Sequence, residues 1–388
     1  MRDLLGASSR SGEHPDTVRC RPRHAGRAIS NELHRQDPDR TDGPGGRVQR
    51  CRRVPRVRRI ALHDRVQPRR RRRVDGVVTL PDELSVLTAA IATPLRPDES
   101  LDEGVLFELT TRYLERGIEG LYCCGSSGEG VLLSTEERKR VVATVARAVG
   151  GRVPVVAHIG GGATRDAIEL GRHAAEAGVT AVSMIPPTYY RFGQDAVVEH
   201  YAAVMRAVEL PMIVYNIPQF TGTEFTPESI RPLLENDQVV GVKHTAHNMF
   251  SLQQMAARFP GKAFINGFDE VFVASLAAGA RGTIGTTVGL QYELFAAARR
   301  RFDSGDVDGA RQVQGRINDI IRELVDIDVF PAAKYVSGRD AAGLGSLGSC
   351  RRPFVPLSQA ARARLDRLDE RLTEYLRLTA HEERSARV

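Results

Sequence analysis

One lysine at the end of an apolar run is the residue of this sequence best suited to chemistry. The chain has 55 lysines and arginines, and only four of them are lysines: Lys139, Lys243, Lys262 and Lys334. Lys243 alone ends a β-branched run, Val239–Val242, of the kind that forms a strand buried on both faces. Arginine keeps its proton at physiological pH, whereas a lysine removed from water can lose its proton and attack a carbonyl group. Lys243 is therefore a candidate for a lysine that forms a Schiff base.

The alternative role of Lys243 is an ordinary surface charge, because a lysine at a strand end often reaches solvent along its aliphatic stem. Its position on a strand does not separate these two roles. The decision depends on whether neighbouring elements place other reactive side chains beside it.

Eight short apolar segments with strand character follow one another through the chain. They are Leu87–Ala92, Ile118–Cys124, Val153–Ile159, Ala181–Ile185, Met212–Ile217, Val239–Lys243, Ala263–Asn266 and Gly282–Gly285. Each gap has room for a crossover helix, and helix-start signals occur at Ser134 with Glu137, at Thr164 and at Thr226-Pro227. Eight βα units in series predict an α/β fold, a (β/α)8 barrel. An open doubly wound sheet is the alternative, but no glycine-rich dinucleotide fingerprint follows the first strand.

The sequence divides into three parts. Residues 79–305 form the predicted barrel, and residues 306–388 a helical extension with helical stretches at Val307–Leu324 and Ser358–Leu376. The second stretch carries Leu365, Leu368, Leu372 and Leu376 on one face, which suits packing on the barrel or on another subunit.

The first part, residues 1–78, is an arginine-rich leader. Residues 1–75 hold 21 arginines, no lysine and nine acidic residues, so this segment alone exceeds the +7 net charge of the whole chain. The remainder is mildly acidic. A nucleic-acid-binding arm, an organelle transit peptide and a mis-assigned start codon are the alternatives, and we favour the last. The composition predicts disorder in any case.

Cysteine usage and hydropathy bear on location. The five cysteines are odd in number and lack the spacing of a metal site, which predicts reduced thiols in a cytoplasmic protein. No apolar run approaches the length of a membrane span.

Candidate ligand-binding residues follow the predicted strands, where barrel enzymes place their active sites. Gly125–Glu129 follows strand two, and its small residues suit a turn whose N–H groups bind a carboxylate, although a plain Gly/Ser turn is equally compatible. Tyr215 lies near the end of strand five, next to strand six, so it can share a cavity with Lys243 and relay protons, or simply pack. His244 and His247 lack a third ligand, so we predict no metal site.

Five motifs together resemble one family. GSSGE, YNIP, GVKHT, NGFDE and GTIGTT follow in this order, and they resemble the dihydrodipicolinate synthase / N-acetylneuraminate lyase family of class I aldolases over residues 84–325, and more weakly over Cys350–Pro356. The resemblance implies a cofactor-free and metal-free Schiff-base enzyme, commonly a homotetramer built as a dimer of dimers.

The resemblance also implies roles for individual residues. Lys243 matches the Schiff-base lysine and Tyr215 the proton-relaying tyrosine, while Ser126 and Ser127 match the residues that hold the carboxylate of the 2-oxo acid. Tyr189 is similar to a tyrosine that completes a proton relay across a subunit interface. The implied substrate-binding residues are Ser126, Ser127, Thr245, Gly267, Asp269, Glu270 and Thr286.

The lyase branch of the family is the better match. The synthase branch carries an arginine shortly after its YNxP motif, whereas Gln219–Gly222 contains none. Departures from the lyase pattern are Thr286 in place of serine, Ser127 in place of threonine, and the Gly- and Ala-rich segment Val336–Ser349.

The expected function is therefore a pyruvate-type lyase or aldolase that acts on a sugar-acid-like substrate. Its partners would be a small-molecule 2-oxo acid and an aldehyde, with no membrane and no nucleic acid. The alternatives are dihydrodipicolinate synthase, a 2-oxo sugar-acid dehydratase, and a non-catalytic regulator or nucleic-acid binder that uses the basic leader.

Overall fold

Eight parallel strands close into a barrel in sequence order, β1 to β8, with β8 paired to β1. The computed structural model describes residues 80–340 and 346–385. The strands are β1 Leu87–Ala90, β2 Gly120–Cys123, β3 Val155–His158, β4 Ala181–Met184, β5 Met212–Asn216, β6 Val239–His244, β7 Ala263–Asn266 and β8 Gly282–Gly285. The predicted (β/α)8 barrel is confirmed, and the leader, residues 1–78, lies outside the described residues.

Helices connect the strands, and further helices follow β8 toward the C-terminus of the chain. They are α1 Leu80–Glu83, α2 Glu103–Glu115, α3 Thr135–Val149, α4 Thr164–Glu176, α5 Gln194–Ala207, α6 Pro218–Thr221, α7 Arg231–Leu234, α8 Met249–Arg258, α9 Phe272–Ala277, α10 Tyr292–Asp303, α11 Val307–Ile327, α12 Val329–Asp340 and α13 Gln359–Ser385, with a 3₁₀ helix at Asp269–Val271. None of the helices in the described ranges is long and apolar enough to cross a membrane.

The strands are buried on both faces, as their nearly continuous apolar runs require. One cluster, with members such as Ala90, Tyr122 and Ile284, fills the barrel interior. A larger cluster lies between the strands and the surrounding helices. Several predicted strands extend a residue or two too far, because the chain turns away at the strand ends; after β2, Cys124 has a left-handed φ of 60°.

Two of the three predicted helix starts differ from the structure. Ser134 and Glu137 form the predicted capping box of α3. Thr164 is the first residue of α4, and its hydroxyl bonds to His200 at 2.8 Å instead of capping the helix. The Thr226 hydroxyl accepts the Ser229 N–H at 3.2 Å and stabilises a turn, so the short α7 begins only at Arg231.

The C-terminal helices pack on the chain's own barrel helices. Leu365, Leu368 and Leu372 of α13 are buried in a cluster shared with α10, α11 and α12. The predicted boundary at residues 305 and 306 falls between α10 and α11, and the division into domains there stays a prediction. In the Val336–Ser349 segment, residues 336–340 continue α12, while residues 341–345 lie outside the described residues.

Candidate active site

Lys243 lies near the C-terminal end of β6, paired in register with Tyr215 of β5. Its side chain is 4% exposed, so the surface-charge alternative is wrong. The Nζ atom is 4.0 Å from the ring centroid of Tyr215, so the two residues share one buried site. The predicted proximity of Lys243 and Tyr215 is confirmed.

Tyr122 of β2 completes the surroundings of Lys243, and the sequence analysis missed it. Lys243 Nζ is 4.3 Å from the Tyr122 ring centroid, and the rings of Tyr122 and Tyr215 meet edge to face at 6.3 Å. The Tyr122 hydroxyl shares a 3.3 Å hydrogen bond with Ser183. Burial raises the pKa of Tyr122 well above its usual value, so the phenol keeps its proton. Both aromatic faces stabilise a cation at Nζ.

His158, at the end of β3, is a second residue that the sequence analysis missed. Its ring lies edge to face with Tyr215 at 5.9 Å, and Arg138 Nη2 donates to the His158 carbonyl at 2.7 Å. Burial, and then the charges of Arg138 and Lys243, hold the pKa of His158 well below its ordinary value. The imidazole is therefore neutral at pH 7, and its Nε2 has no hydrogen-bond partner within the described ranges.

The Gly125–Glu129 turn presents two backbone N–H groups beside this cluster. The N–H groups of Gly128 and Glu129 close the turn on the carbonyls of Gly125 and Ser126, at 3.1 and 3.0 Å. No backbone carbonyl among residues 80–340 and 346–385 accepts the N–H groups of Ser126 and Ser127. A Cβ at Gly125 would lie 2.4 Å from the Tyr122 ring, which ties the turn to the lysine site. Unpaired N–H groups next to hydroxyls form a site for a carboxylate.

The loop after β8 meets this turn. Ser127 Oγ and Thr286 Oγ1 share a 2.7 Å hydrogen bond, so the structure brings these two predicted site residues together. The next residue, Thr287, donates its N–H and its hydroxyl to Asp269 Oδ2, both at 2.8 Å.

Asp269 Oδ1 and Thr245 Oγ1 are among the buried oxygens that lack partners within the described part of the chain. A Cβ at Gly285 would overlap Asp269 Oδ1, and a Cβ at Gly267 would overlap Thr245 Oγ1, so both glycines make room for these oxygens. Burial raises the pKa of Asp269 to about 6. Buried polar atoms without partners are the features that ligand hydroxyl groups satisfy. Glu270 follows in the 3₁₀ helix, half-buried, and its carbonyl accepts from Asn318 at 3.1 Å.

Tyr189 lies apart from the buried cluster. It is 91% exposed, has a left-handed φ of 77°, and packs its ring on Tyr190 at 5.0 Å. Within one chain, the structure does not place Tyr189 in the buried surroundings of Lys243.

The two histidines after Lys243 are engaged in other contacts. The ring nitrogens of His244 lie 3.2 Å from Asn216 Nδ2 and 3.2 Å from the Asn248 carbonyl oxygen, while His247 stacks on Phe268 at 4.5 Å. Across the described residues, no three His, Cys, Asp or Glu side chains are grouped to hold a metal ion.

Comparison with known proteins identifies the family of this chain. A model of the dihydrodipicolinate synthetase family matches residues 83–371. The chain belongs to this family. The resemblance expected from the five motifs is thereby confirmed, and the first 82 residues lie outside the match.

Similar proteins include a lyase and an aldolase. An N-acetylneuraminate lyase from Rhizobium meliloti (strain 1021) is 38% identical over 283 residues, which cover 73% of this chain and 93% of the relative. CdNal from Clostridium difficile, solved in complex with mannosamine, is 25% identical with a TM-score of 0.71, covering 74% of this chain and 98% of its own. A catalytic lysine mutant of Ruminococcus gnavus sialic acid aldolase is 27% identical with a TM-score of 0.73, covering 76% and 97%.

An arginine from another loop, Arg191, contacts the Gln219–Gly222 stretch that follows YNIP. Arg191, from the loop after β4, donates to the Gly222 carbonyl at 2.9 Å. Gln219 lines a pocket of about 430 Å³ together with residues such as Glu224 and His247. Sequence spacing did not reveal Arg191, because the contact joins two loops that are 31 residues apart.

Proposed function

We propose that this chain is a class I lyase or aldolase that forms a Schiff base between Lys243 and pyruvate or a related 2-oxo acid. The observation that carries the proposal is the buried Nζ of Lys243, which lies over two tyrosine rings at the end of a barrel strand. The lyase and aldolase relatives, one of which has a catalytic lysine, support it.

In this mechanism the neutral amine of Lys243 attacks the C2 ketone of the 2-oxo acid. The C–N bond forms, and the carbonyl oxygen leaves as water after it takes one proton from the amine and one from solvent, so that a cationic iminium remains. In the cleavage direction the electrons of the C3–C4 bond flow into the iminium, while the proton of the C4 hydroxyl is transferred away and an aldehyde departs. Tyr215 is the group beside the lysine that moves this proton.

The carboxylate of the 2-oxo acid binds the N–H groups and hydroxyls of Ser126 and Ser127 in this proposal. This contact fixes C2 relative to Nζ, because one end of the substrate is held while the other reacts. The Ser127–Thr286 hydrogen bond orients the Ser127 hydroxyl.

A sugar-acid substrate accounts for the unpartnered oxygens. Asp269 Oδ1 and Thr245 Oγ1 would accept or share hydrogen bonds with the hydroxyls of a polyhydroxy tail. Gly267, Glu270 and Thr286 border the same region. This arrangement favours a sugar-acid substrate over the aspartate semialdehyde of a dihydrodipicolinate synthase, and the similar N-acetylneuraminate lyase favours a lyase over a sugar-acid dehydratase.

The remaining parts of the proposal concern cofactors, assembly and location. The Schiff base needs neither metal nor cofactor, because the iminium itself accepts the electrons. Exposed Tyr189, Tyr190 and Phe192 form an aromatic patch suited to contact a second copy, in a homotetramer that brings Tyr189 to a neighbouring site. Free Cys123, Cys124 and Cys350 favour a reducing, cytoplasmic location.

The test is borohydride reduction of the protein with pyruvate, followed by intact-mass analysis and peptide mapping. We expect one adduct, on Lys243, and its loss in Lys243→Arg with an unchanged circular dichroism spectrum, because arginine does not form the imine. Lys139→Arg is the matched control, since Lys139 binds Glu136 and Glu169 on the surface. An adduct that persists in Lys243→Arg would contradict the mechanism.

A substrate panel then separates the branches. Release of pyruvate from N-acetylneuraminate supports the lyase. Condensation of pyruvate with aspartate semialdehyde would instead assign the synthase.

A further inference from the structure

A second lysine of this chain is buried, and the proposed reaction does not use it. Lys334 of α12 is 2% exposed. Its Nζ donates to Glu129 Oε1 at 2.8 Å and to the Ser349 carbonyl at 2.9 Å. The Glu129 side chain is 0% exposed, so the two charges form an ion pair shielded from water.

The other oxygen of Glu129 binds the C-terminal segment directly. Glu129 Oε2 accepts the backbone N–H of Arg351 at 2.6 Å. The Arg351 guanidinium binds both oxygens of Glu137, at 2.6 and 2.7 Å, and donates to the Leu132 carbonyl at 3.0 Å. Residues from the C-terminal extension therefore hold the segment that follows β2 at several points.

Glu129 belongs to the turn that carries the two available N–H groups. Its own N–H closes the turn on the Ser126 carbonyl at 3.0 Å. Thr93 Oγ1 also donates to the Gly128 carbonyl at 2.7 Å. Bonds at Gly128 and Glu129 therefore fix the turn that carries the Ser126 and Ser127 N–H groups.

Stability alone does not explain this ion pair. Moving two charges out of water costs about as much free energy as their attraction returns, so apolar side chains would stabilise the fold equally well. Glu129 also has a left-handed φ of 56°, where glycine would be the less strained residue. A carboxylate occupies a position unfavourable to any side chain, which indicates a need for its bonds to Lys334 and Arg351.

We propose that Lys334 and Glu129 are positioning residues for the carboxylate-binding turn. Their ion pair couples α12 to the Gly125–Glu129 turn and holds the Ser126 and Ser127 N–H groups toward the substrate carboxylate. The C-terminal extension is then part of the substrate site as well as a packing element. This inference rests on the proposed Schiff-base function.

The test compares pyruvate with its uncharged methyl ester, because the two ketones differ only in the carboxylate that this turn is proposed to bind. For each, the concentration giving half-maximal borohydride-trapped adduct is measured in the wild type and in Lys334→Met. We expect this concentration to rise about tenfold or more for pyruvate, the effect of losing a charge-assisted hydrogen bond, and to change less than about twofold for the ester.

Two further variants complete the design. The double variant Glu129→Gln/Lys334→Met removes both charges, so it leaves no uncompensated charge in the interior and is expected to fold even where the single variant does not. In this double variant the concentration that gives half-maximal adduct should again rise for pyruvate and stay nearly unchanged for the ester. Lys139 forms its ion pairs on the surface, so Lys139→Met should leave the concentration for half-maximal adduct unchanged for both ketones.

The inference is overturned if adduct formation weakens equally for both ketones, or if a folded variant binds pyruvate as the wild type does. Unfolding of both Lys334 variants would also overturn it, because the pair would then serve stability. If the wild type forms no adduct with either ketone, the proposed function fails first and this inference falls with it.

Discussion

In the proposed reaction a positive charge develops on Lys243 Nζ, and this charge determines which neighbouring residues affect the reaction. The rings of Tyr122 and Tyr215 lie 4.3 and 4.0 Å from this atom, and the neutral His158 ring lies 6.2 Å from the Tyr122 ring and 5.9 Å from the Tyr215 ring. An iminium at Nζ carries a positive charge, whereas the neutral amine that attacks the ketone does not. Aromatic faces therefore stabilise the intermediate more than the attacking amine, and this difference lowers the barrier to its formation.

The role of Tyr122 is testable by separating its ring from its hydroxyl. Tyr122→Phe keeps the aromatic face, so we expect the rate of adduct formation with pyruvate to stay within about twofold of wild type. Tyr122→Leu removes the face and should slow adduct formation roughly 2- to 30-fold, the range of one cation–π interaction. The measurement is the single-turnover trapping rate, with thermal denaturation of both variants as the control for folding. Equal rates in the two variants would refute the aromatic contribution.

One part of the site was predictable from residue types, whereas the other part depends on side-chain directions that the sequence does not show. Lys243 and Tyr215 are rare or reactive types at strand ends, and the sequence alone paired them. Tyr122 and His158 lie on strands, where a sequence shows alternation without showing which face is inward. Lys334 was assigned to no element, because its significance lies in a contact with Glu129 across 205 residues.

At the scale of elements, the register of β5 against β6 brings the two reactive residues together. Met212 pairs with Val239, but the next residue, Ile213, pairs with Gly241, so β6 carries one extra residue at Val240. Without this irregularity Tyr215 would lie opposite Val242 instead of Lys243. The order of the strands was predictable from their spacing, whereas this shift was not, because no residue at Val240 signals it.

Gly241 allows β6 and β7 to approach closely. A Cβ at this position would lie 2.3 Å from the Ala263 carbonyl oxygen and 3.0 Å from the Ala263 Cβ. Gly241→Ala should therefore lower the free energy of unfolding by about 1–3 kcal/mol, the usual effect of overpacking. Gly261→Ala is the matched control near the start of β7, where a Cβ meets nothing within 4 Å, and it should change stability by less than about 0.5 kcal/mol. Chemical denaturation measures both, and equal midpoints would contradict the steric argument.

At the scale of the molecule, the C-terminal helices contribute both to the core and to the surroundings of the candidate site. The C-terminal helices share a core cluster with the barrel helices, and Lys334 and Arg351 reach the turn beside the candidate site. The sequence predicted these helices from their apolar periodicity but did not predict that they contact the site. The contact depends on the path of the chain around the barrel, which periodicity does not describe.

The arginine-rich leader is expected to be dispensable for the reaction. The family match begins at residue 83, and the contacts that build the candidate site involve residues from Thr93 to Arg351. Deleting residues 1–78 should leave the pyruvate concentration for half-maximal adduct within about twofold of the full chain, because it removes none of these contacts.

The same pair of proteins tests the competing role of the leader in nucleic-acid binding. A basic arm gives an affinity for DNA that falls steeply with salt and disappears on truncation. If the full chain shows this behaviour and forms no adduct, the leader carries the function. If both proteins form the adduct equally, catalysis belongs to the barrel and its C-terminal helices.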